Sequence, residues 1–114
     1  MEAMETAKFY FGLSNKSDFD NIEKLFTDKT VYISQTTGEY VGKKDIIVMQ
    51  RKFHGQFSSL NWQITTVKEV KPGVILFDFD FVGEMLDGEV MKTSGQETVT
   101  VSHDKIIKIV ITKK

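Results

Sequence analysis

The sequence predicts an α+β fold in which three helices precede a curved antiparallel sheet. Apolar residues recur at spacings of three and four up to about residue 57, as in amphipathic helices. From about residue 60 onward they alternate with polar residues, as in half-buried strands. The short turn sequences KPG, LDGE and HDK separate these alternating runs, which is typical of antiparallel hairpins.

The first predicted helix covers residues 3–13. Its apolar residues occupy well over half of the helical circumference, so we expect burial along most of its surface: Ala3, Met4, Ala7, Phe9, Tyr10, Phe11 and Leu13. Ser17 begins the sequence SDFD, a capping-box variant that predicts the start of a second helix. The spacing of the apolar residues predicts a third helix over about residues 44–57.

The strands follow in the same order along the chain. VYIS predicts a first strand, and TTGEYVG predicts a turn with a short second strand. Four longer runs predict the remaining strands: LNWQITTVKEV, VILFDFDFVGEM, VMKTSGQETVTVS and IIKIVIT.

Composition limits the kinds of function that we expect. A chain of 114 residues is most simply one domain, residues 1–114. The net charge of −1 favours neither nucleic acid nor an anionic membrane as a partner. The chain has no cysteine, no signal-peptide pattern at its start and no apolar run of about 18 residues, so we expect a cytoplasmic protein without a membrane segment.

Three segments, in this order, resemble the nuclear transport factor 2-like superfamily, which includes SnoaL-like and ketosteroid isomerase-like proteins. They are YFGLSNKSDFDNIEKLFTDKTVYIS, GEYVGKKDIIVMQRKFHGQF and the last hairpin, VTVSHDKIIKI, within residues 4–112. The resemblance implies a cystatin-like cone, in which three N-terminal helices pack on the concave face of a bent sheet. The superfamily contains isomerases, cyclases, hydrolases, dehydratases and proteins without known activity, so the fold alone predicts function poorly.

Strand parity predicts which side chains face the helices. In VILFDFDFVGEM, one face carries an isoleucine and three phenylalanines, and this face must be removed from water. Leaving this face exposed to water would cost several kcal/mol, at about 25 cal/mol per Å² of apolar area. Asp78 and Asp80 therefore point to the outer face of the sheet, where they are either solvated or part of a subunit interface. A site or metal patch at these two aspartates is the less favoured interpretation.

The same parity puts one acid on a core-facing position. In GQETVTVS, Glu97 shares its face with Val99 and Val101. A buried, unpaired carboxylate is costly, so Glu97 should be hydrogen-bonded, protonated or exposed at the mouth of a cavity. The alternative is that the strand frays into solvent at this point. In LNWQITTV, Trp62 is predicted to face inward with Leu60 and Ile64.

Helical spacing identifies further polar candidates. Gln50 lies near the apolar stripe of the third helix and is either a cavity residue or a partner for a backbone group. Tyr10 is central on the apolar face of the first helix, and its hydroxyl needs a partner if it is buried. His54 is at the edge of the stripe, where a structural role is favoured over a catalytic one. The sequence does not decide whether Tyr32 and His54 face the cavity.

The resemblance also implies positions for known chemistries of the superfamily. A ketosteroid isomerase needs a carboxylate base and a phenol, but the matching positions hold Ser34 and Phe9, which supply neither. The single arginine, Arg51, is predicted on the outer side of its helix, away from any epoxide hydrolase arrangement. The nearest equivalent of the acid and histidine of SnoaL-like cyclases is Glu97 with His54. Because no metal motif, phosphate loop or nucleophile triad occurs, no metal or cofactor is predicted.

Three functions remain open. The first is binding of a small hydrophobic molecule in a mostly apolar cavity, with lining residues Tyr10, Gln50, Phe53, Trp62, Phe79 and Glu97. The second is a SnoaL-like enzyme of isomerase, cyclase or hydrolase type, with Glu97 as the candidate catalytic residue for proton transfer. The third is a protein-interaction module, a homodimer joined through the outer face of the sheet by Leu76, Val82 and the apolar residues of IIKIVI.

Overall fold

The helices and strands confirm the predicted α+β class. A computed structural model describes all residues from Met1 to Lys114. The helices are α1 (Ala3–Asn15), α2 (Phe19–Glu23) and α3 (Lys43–His54). The strands are β1 (Val31–Ser34), β2 (Gly38–Val41), β3 (Phe57–Lys71), β4 (Val74–Met85), β5 (Val90–Ser102) and β6 (Lys105–Lys113).

All six strands form one sheet, in the spatial order β2-β1-β6-β5-β4-β3. The three long hairpins from β3 to β6 are antiparallel, whereas β1 pairs with β6 in parallel. Two contacts extend this parallel junction beyond the ladder: the hydroxyl of Thr30 donates to the carbonyl of Ile106 at 2.7 Å, and the amide of Ile106 donates to the carbonyl of Leu25 at 2.7 Å. The first and last strands of the chain are therefore neighbours.

The sheet is curved because its longest strand is irregular. The register between β3 and β4 shifts at three points along β3. Such bulges bend a strand and increase its twist. The hairpin between β3 and β4 turns at Gly73, whose φ of 80° lies in the region that favours glycine. A Cβ on Gly73 would also come within 2.7 Å of the carbonyl oxygen of Val101.

The core lies between the concave face of the sheet and the helices. The predicted inward face of β4 is buried throughout: Ile75, Phe77, Phe79 and Phe81. The ring of Phe11, on α1, packs against the ring of Phe77 with their centroids 4.5 Å apart. Val99 and Val101 of β5 are buried beside them, as predicted. The strand parity read from the sequence is thus confirmed.

The buried face of α1 is narrower than predicted. Phe9 is 47% exposed, although its apolar side chain favoured burial. The buried stripe instead includes Thr6 and Ser14, two small polar residues that a count of apolar residues omits. The helix also continues to Asn15, two residues beyond the predicted end.

The predicted boundaries of α2 and α3 are wrong by a few residues. The N-cap of α2 is Asp18, whose carboxylate accepts a hydrogen bond from the amide of Asn21 at 3.4 Å, and Ser17 precedes it with a φ of 53°. Helix α3 ends at His54, where the amide of Gly55 caps it by donating to the carbonyl of Arg51 at 2.9 Å. Phe57 therefore opens β3 instead of closing α3.

Candidate functional site

A cavity of about 220 Å³ lies between the helices and the concave face of the sheet. Half of its lining residues are hydrophobic. A space of this volume can hold a small organic molecule and is well above the room needed for one water. We refer to it below as the cavity.

All six residues predicted as ligand contacts line this cavity. They come from five different elements: Tyr10 from α1, Gln50 and Phe53 from α3, Trp62 from β3, Phe79 from β4 and Glu97 from β5. Their convergence follows from strand parity and helical spacing. Whether they bind a ligand stays a prediction.

One side of the cavity is aromatic. The ring of Phe81 lies 4.8 Å from that of Trp62 and 5.9 Å from that of Phe53, measured between centroids. Gly95, opposite Phe79 on the neighbouring strand, leaves room for the ring of Phe79, because a Cβ at position 95 would come within 2.9 Å of that ring. These rings present flat apolar surface and few polar atoms.

The end of α1 fixes the position of Trp62. The side-chain amide of Asn15 donates to the carbonyl of Trp62 at 3.1 Å and accepts from its amide at 2.7 Å. Because β3 is an edge strand, these two backbone groups of Trp62 have no neighbouring strand to pair with on that side. Asn15 thus joins α1 to the sheet at the residue that forms part of the aromatic side.

A second part of the lining, which we call the polar side, centres on Glu97. The side chain of Glu97 is only 3% exposed, and its Oε2 atom has no hydrogen-bond partner. Burial raises the pKa of Glu97 to about 8. This carboxyl is therefore mostly protonated near neutral pH, so that it can donate a hydrogen bond.

Two tyrosines and a glutamine surround this carboxyl. The amide nitrogen of Gln50 donates to the hydroxyl of Tyr10 at 2.9 Å, and the amide oxygen of Gln50 has no partner. Burial, and then the charge of Glu97, raise the pKa of both Tyr10 and Tyr32 well above the usual value for a phenol. The polar side of the cavity is consequently uncharged near neutral pH.

His54 also lines the cavity, and its ring is buried. Its Nδ1 atom lies 2.8 Å from the hydroxyl of Ser17, and its ring packs edge-on against that of Phe19 with centroids 4.8 Å apart. Burial lowers the pKa of His54 to about 4, so the ring is neutral near pH 7. The structure places His54 on the aromatic side, with a centroid distance of 5.3 Å to Trp62.

Several lining residues were not among the predicted ligand contacts. Tyr32 and Ser34, on the short strand β1, are buried and line the cavity. Lys113 also belongs to the lining and is exposed on the concave face, which places it at the opening, whereas Lys92, also among the lining residues, lies opposite Val82 on the outer face. Strand parity could have identified Lys113, because it alternates with the inward-facing Ile109 and Ile111 on β6.

The two aspartates between the phenylalanines of β4 lie on the outer face of the sheet, as predicted. Asp78 accepts hydrogen bonds from the ammonium of Lys114 at 2.8 Å, from the hydroxyl of Thr66 and from the amide of Gln96 at 3.0 Å. These partners hold the pKa of Asp78 well below its usual range. Asp80 accepts from the hydroxyl of Ser94 at 2.6 Å. Both carboxylates thus belong to a polar outer surface.

Two chemistries considered at the sequence level have little geometric basis. Phe9, which matches the phenol position of ketosteroid isomerases, does not line the cavity, whereas its neighbour Tyr10 does. Arg51 lies on the outer side of α3, where its guanidinium packs over Phe19 and pairs with Asp20 at 3.4 Å.

No three histidine, aspartate or glutamate side chains converge as they would to hold a metal ion. None of the helices combines the length and the apolar character that crossing a membrane requires.

Comparison with known proteins identifies the fold. No family profile and no curated protein sequence matches the chain. Among solved structures, an uncharacterised cystatin-fold protein from Novosphingobium aromaticivorans superposes with a TM-score of 0.87 at 17% identity, covering 99% of each chain. A proposed SnoaL-like polyketide cyclase from Shewanella denitrificans gives a TM-score of 0.85 at 14% identity, covering 98% of this chain and 90% of the other.

A third solved structure was determined with a small molecule. It is a protein from Catenulispora acidiphila with a ketosteroid isomerase-like fold, in complex with trimethylamine. Its TM-score is 0.85 at 10% identity, covering 96% of this chain and 85% of that one. At such identities the likeness shows the fold alone, so the chain has the cystatin-like fold of these structures, as the resemblance implied.

Proposed function

We propose that this protein binds a small, largely hydrophobic molecule in the cavity, and that a hydrogen-bond acceptor of this molecule pairs with Glu97. The observation that carries the proposal is the buried carboxyl of Glu97, which has no partner for Oε2 and belongs to the lining of a cavity with an aromatic side. Buried polar groups without partners are uncommon and costly, so a bound acceptor such as a ketone carbonyl would satisfy it.

The properties of the cavity favour a neutral carbonyl compound over a charged group at the polar side. Glu97 is mostly protonated near pH 7, and Gln50 and both tyrosines there are uncharged as well. The aromatic side provides apolar area, and Glu97 with Gln50 would orient the ligand. A structure of the same fold has been determined in complex with a small organic molecule, trimethylamine, which supports ligand binding by this kind of protein.

Fluorescence of Trp62 offers a direct test, because it is the only tryptophan of the chain and lines the cavity. At pH 6.5, titration with acetophenone, a small neutral ketone, should change the emission of Trp62 until it saturates, and the curve gives the dissociation constant. Above about pH 8, ionisation of Glu97 should weaken binding by roughly tenfold per pH unit. Glu97→Gln keeps a donor but cannot ionise, so its affinity should be the same at pH 6.5 and pH 9.

Glu84→Gln is a matched control, since Glu84 is exposed on β4 and does not line the cavity. It should retain the pH dependence of the natural sequence. Saturable binding that is independent of pH in all three proteins would place the ligand elsewhere and contradict the role of Glu97. Absence of any saturable change would contradict ketone binding in the cavity.

Proton transfer by Glu97 is a second candidate function. A buried carboxyl whose pKa lies near the working pH is suited to general acid–base catalysis. In this function the ionised form of Glu97 accepts an α-proton of the bound ketone, and the resulting enolate takes up deuterium from the solvent. The loss of the α-proton signal in proton NMR measures this exchange, which should increase as the pH rises toward 8. Glu97→Gln should abolish this exchange while the ketone still binds, and an unchanged exchange rate would exclude Glu97 as the base.

The outer face of the sheet is a further proposed functional surface, at which two copies of the chain would associate. Val82 is 44% exposed there, and Leu76, half-buried, lies on the same face six residues earlier on β4. The expected contribution of the last strand is smaller than its sequence indicated, because Ile106 and Ile109 are fully buried in the core. We also propose that the protein acts in the cytoplasm. A chain without cysteine forms no disulfide and so does not need an oxidising compartment in order to fold.

A further inference from the structure

The last two residues of the chain are lysines on opposite faces of the sheet. Lys114 reaches the outer face, where its ammonium pairs with Asp78 at 2.8 Å. Lys113 alternates with it and shares the concave face with Ile111 and Ile109, so it belongs to the lining of the cavity. Two chemically identical side chains are thus separated by strand parity alone.

The backbone at this strand end is held on both sides. The amide of Lys113 donates to the side-chain oxygen of Gln35 at 2.7 Å, and the amide of Lys114 donates to the carbonyl of Ser94 at 3.1 Å. Together with the ion pair of Lys114, these bonds fix the direction in which the side chain of Lys113 leaves the strand. The ammonium of Lys113 itself forms no salt bridge.

The cavity therefore has an uneven distribution of charge. On the concave face its ionisable lining groups other than the histidine are Lys113, which is exposed at the opening, and Glu97, which is buried inside. On adjacent strands Glu97 lies opposite Ile111, and Lys113 lies opposite Gly95, so Glu97 and Lys113 are diagonal neighbours on one face. Diagonal neighbours in a sheet have their side chains about 7–8 Å apart at the base.

We propose that the ligand is a small amphipathic carboxylic acid, whose carboxylate binds Lys113 at the opening while its apolar body and a carbonyl group occupy the cavity. This inference rests on the proposed function and names the class of molecule for that site. The aromatic side receives the apolar body, and Glu97 receives the carbonyl oxygen.

The orientation follows from the cost of burying charge. A carboxylate at the inner end would be removed from water next to Glu97, with no cation to compensate it, which is strongly unfavourable. At the opening the same carboxylate keeps contact with water and meets an unpaired ammonium. An acid with its carbonyl a few bonds from its carboxylate matches the diagonal spacing between Glu97 and Lys113.

Benzoylpropionate, a phenyl ketone with a carboxylate two methylene groups away, is a suitable probe, and its primary amide is the matched neutral compound. Isothermal titration calorimetry at pH 6.5 and low salt should give at least tenfold tighter binding for the acid than for the amide. Lys113→Gln should remove this preference, because it weakens binding of the acid. Lys108→Gln is the control, because Lys108 is exposed on the same strand and does not line the cavity.

The preference for the acid should also decrease with added salt, because the pair at the opening is partly solvated. Equal affinities for acid and amide in the natural sequence would overturn the proposal, and so would a preference that Lys113→Gln retains. In either case pH-dependent binding of acetophenone would show that the proposed function stands without it. If acetophenone also fails to bind, the proposed function is wrong as well.

Discussion

Glu97 shows how a single side chain can link folding to pH. It lies opposite Phe77 on β4 and Ile111 on β6, and its side chain is only 3% exposed. Burial raises its pKa from 4.5 to about 8. In the unfolded chain the carboxyl ionises at the lower pH, so between these two values the folded state binds more protons than the unfolded state.

We therefore expect the free energy of unfolding to decrease as the pH rises from about 4.5 to about 8, and the contribution of protonated Glu97 to be lost above that range. Since one unit of pKa corresponds to about 1.4 kcal/mol, the loss amounts to several kcal/mol. Urea unfolding of the natural sequence and of Glu97→Gln, at pH 5 and pH 9, measures it. The stability gap in favour of the glutamine variant should widen at the higher pH, and a constant gap would contradict a raised pKa.

His54 has the opposite dependence on pH. Its pKa is lowered from 6.5 to about 4, so the folded state binds fewer protons than the unfolded state between these values. Its contribution to stability is present above pH 6.5 and is lost as the pH falls toward 4. In His54→Gln the difference in unfolding free energy between pH 7 and pH 4.5 should be smaller than in the natural sequence. NMR titration of the ring protons reports the pKa directly, and a value near 6.5 would contradict its burial.

The six predicted lining residues were found because each required only the parity of its own strand or the face of its own helix. Glu97 and Trp62 are of this kind. Tyr32 was undecided, because four residues of β1 give too short an alternation to choose a face. The exposure of Phe9 could not be read from the sequence either, since it depends on how α1 rotates against the sheet.

At the scale of elements, the joint between α1 and β3 rests on Asn15. Its side chain makes both hydrogen bonds to the backbone of Trp62. Asn15→Ala should lower the free energy of unfolding by about 1–3 kcal/mol, because two edge-strand groups lose their partner. Asn15→Asp keeps the acceptor for the amide of Trp62 and should lose less. Thermal unfolding gives the ranking, and equal stability of all three proteins would show that water replaces Asn15 fully.

The ends of the elements were the least predictable part of the fold. The helical spacing of apolar residues continues through Phe57, yet α3 stops at His54 because Gly55 caps it and β3 begins to pair with β4. In SDFD the predicted cap was Ser17, whereas the helix uses Asp18, one position later. Such choices depend on tertiary contacts, here the contact of Ser17 with His54, which a local pattern does not contain.

At the scale of the whole molecule, we expect a homodimer through the outer face of the sheet. The face is largely polar, with Val82 as an exposed apolar side chain, so the association should be of moderate strength. Light scattering at about 100 µM should give twice the mass of one chain, and Val82→Lys should give a single chain. Val48→Lys is the control, since Val48 is equally apolar and 67% exposed on α3. A monomer at this concentration would exclude the dimer.

The fold class was predictable because the helical and alternating patterns are separate along the chain. The volume of the cavity could not be predicted in the same way, because it depends on how completely the side chains fill the space between the helices and the sheet. Gly95 illustrates this. Because it has no side chain, the ring of Phe79 can lie against the neighbouring strand, and the room that this leaves in the cavity cannot be read from the local sequence. The outer placement of Asp78, in contrast, followed from parity alone.

The parallel pairing of β1 with β6 has a consequence for how the chain is made in the cell. Thr30 and Ile106 are 76 positions apart in the sequence. They must come together before the sheet on which the N-terminal helices pack is complete. During translation, α1, α2 and β1 therefore leave the ribosome long before their partner strand exists. Structures that depend on such distant contacts form slowly, and the exposed apolar segments are vulnerable to aggregation in the meantime. This protein should therefore fold only after nearly all of its chain has emerged.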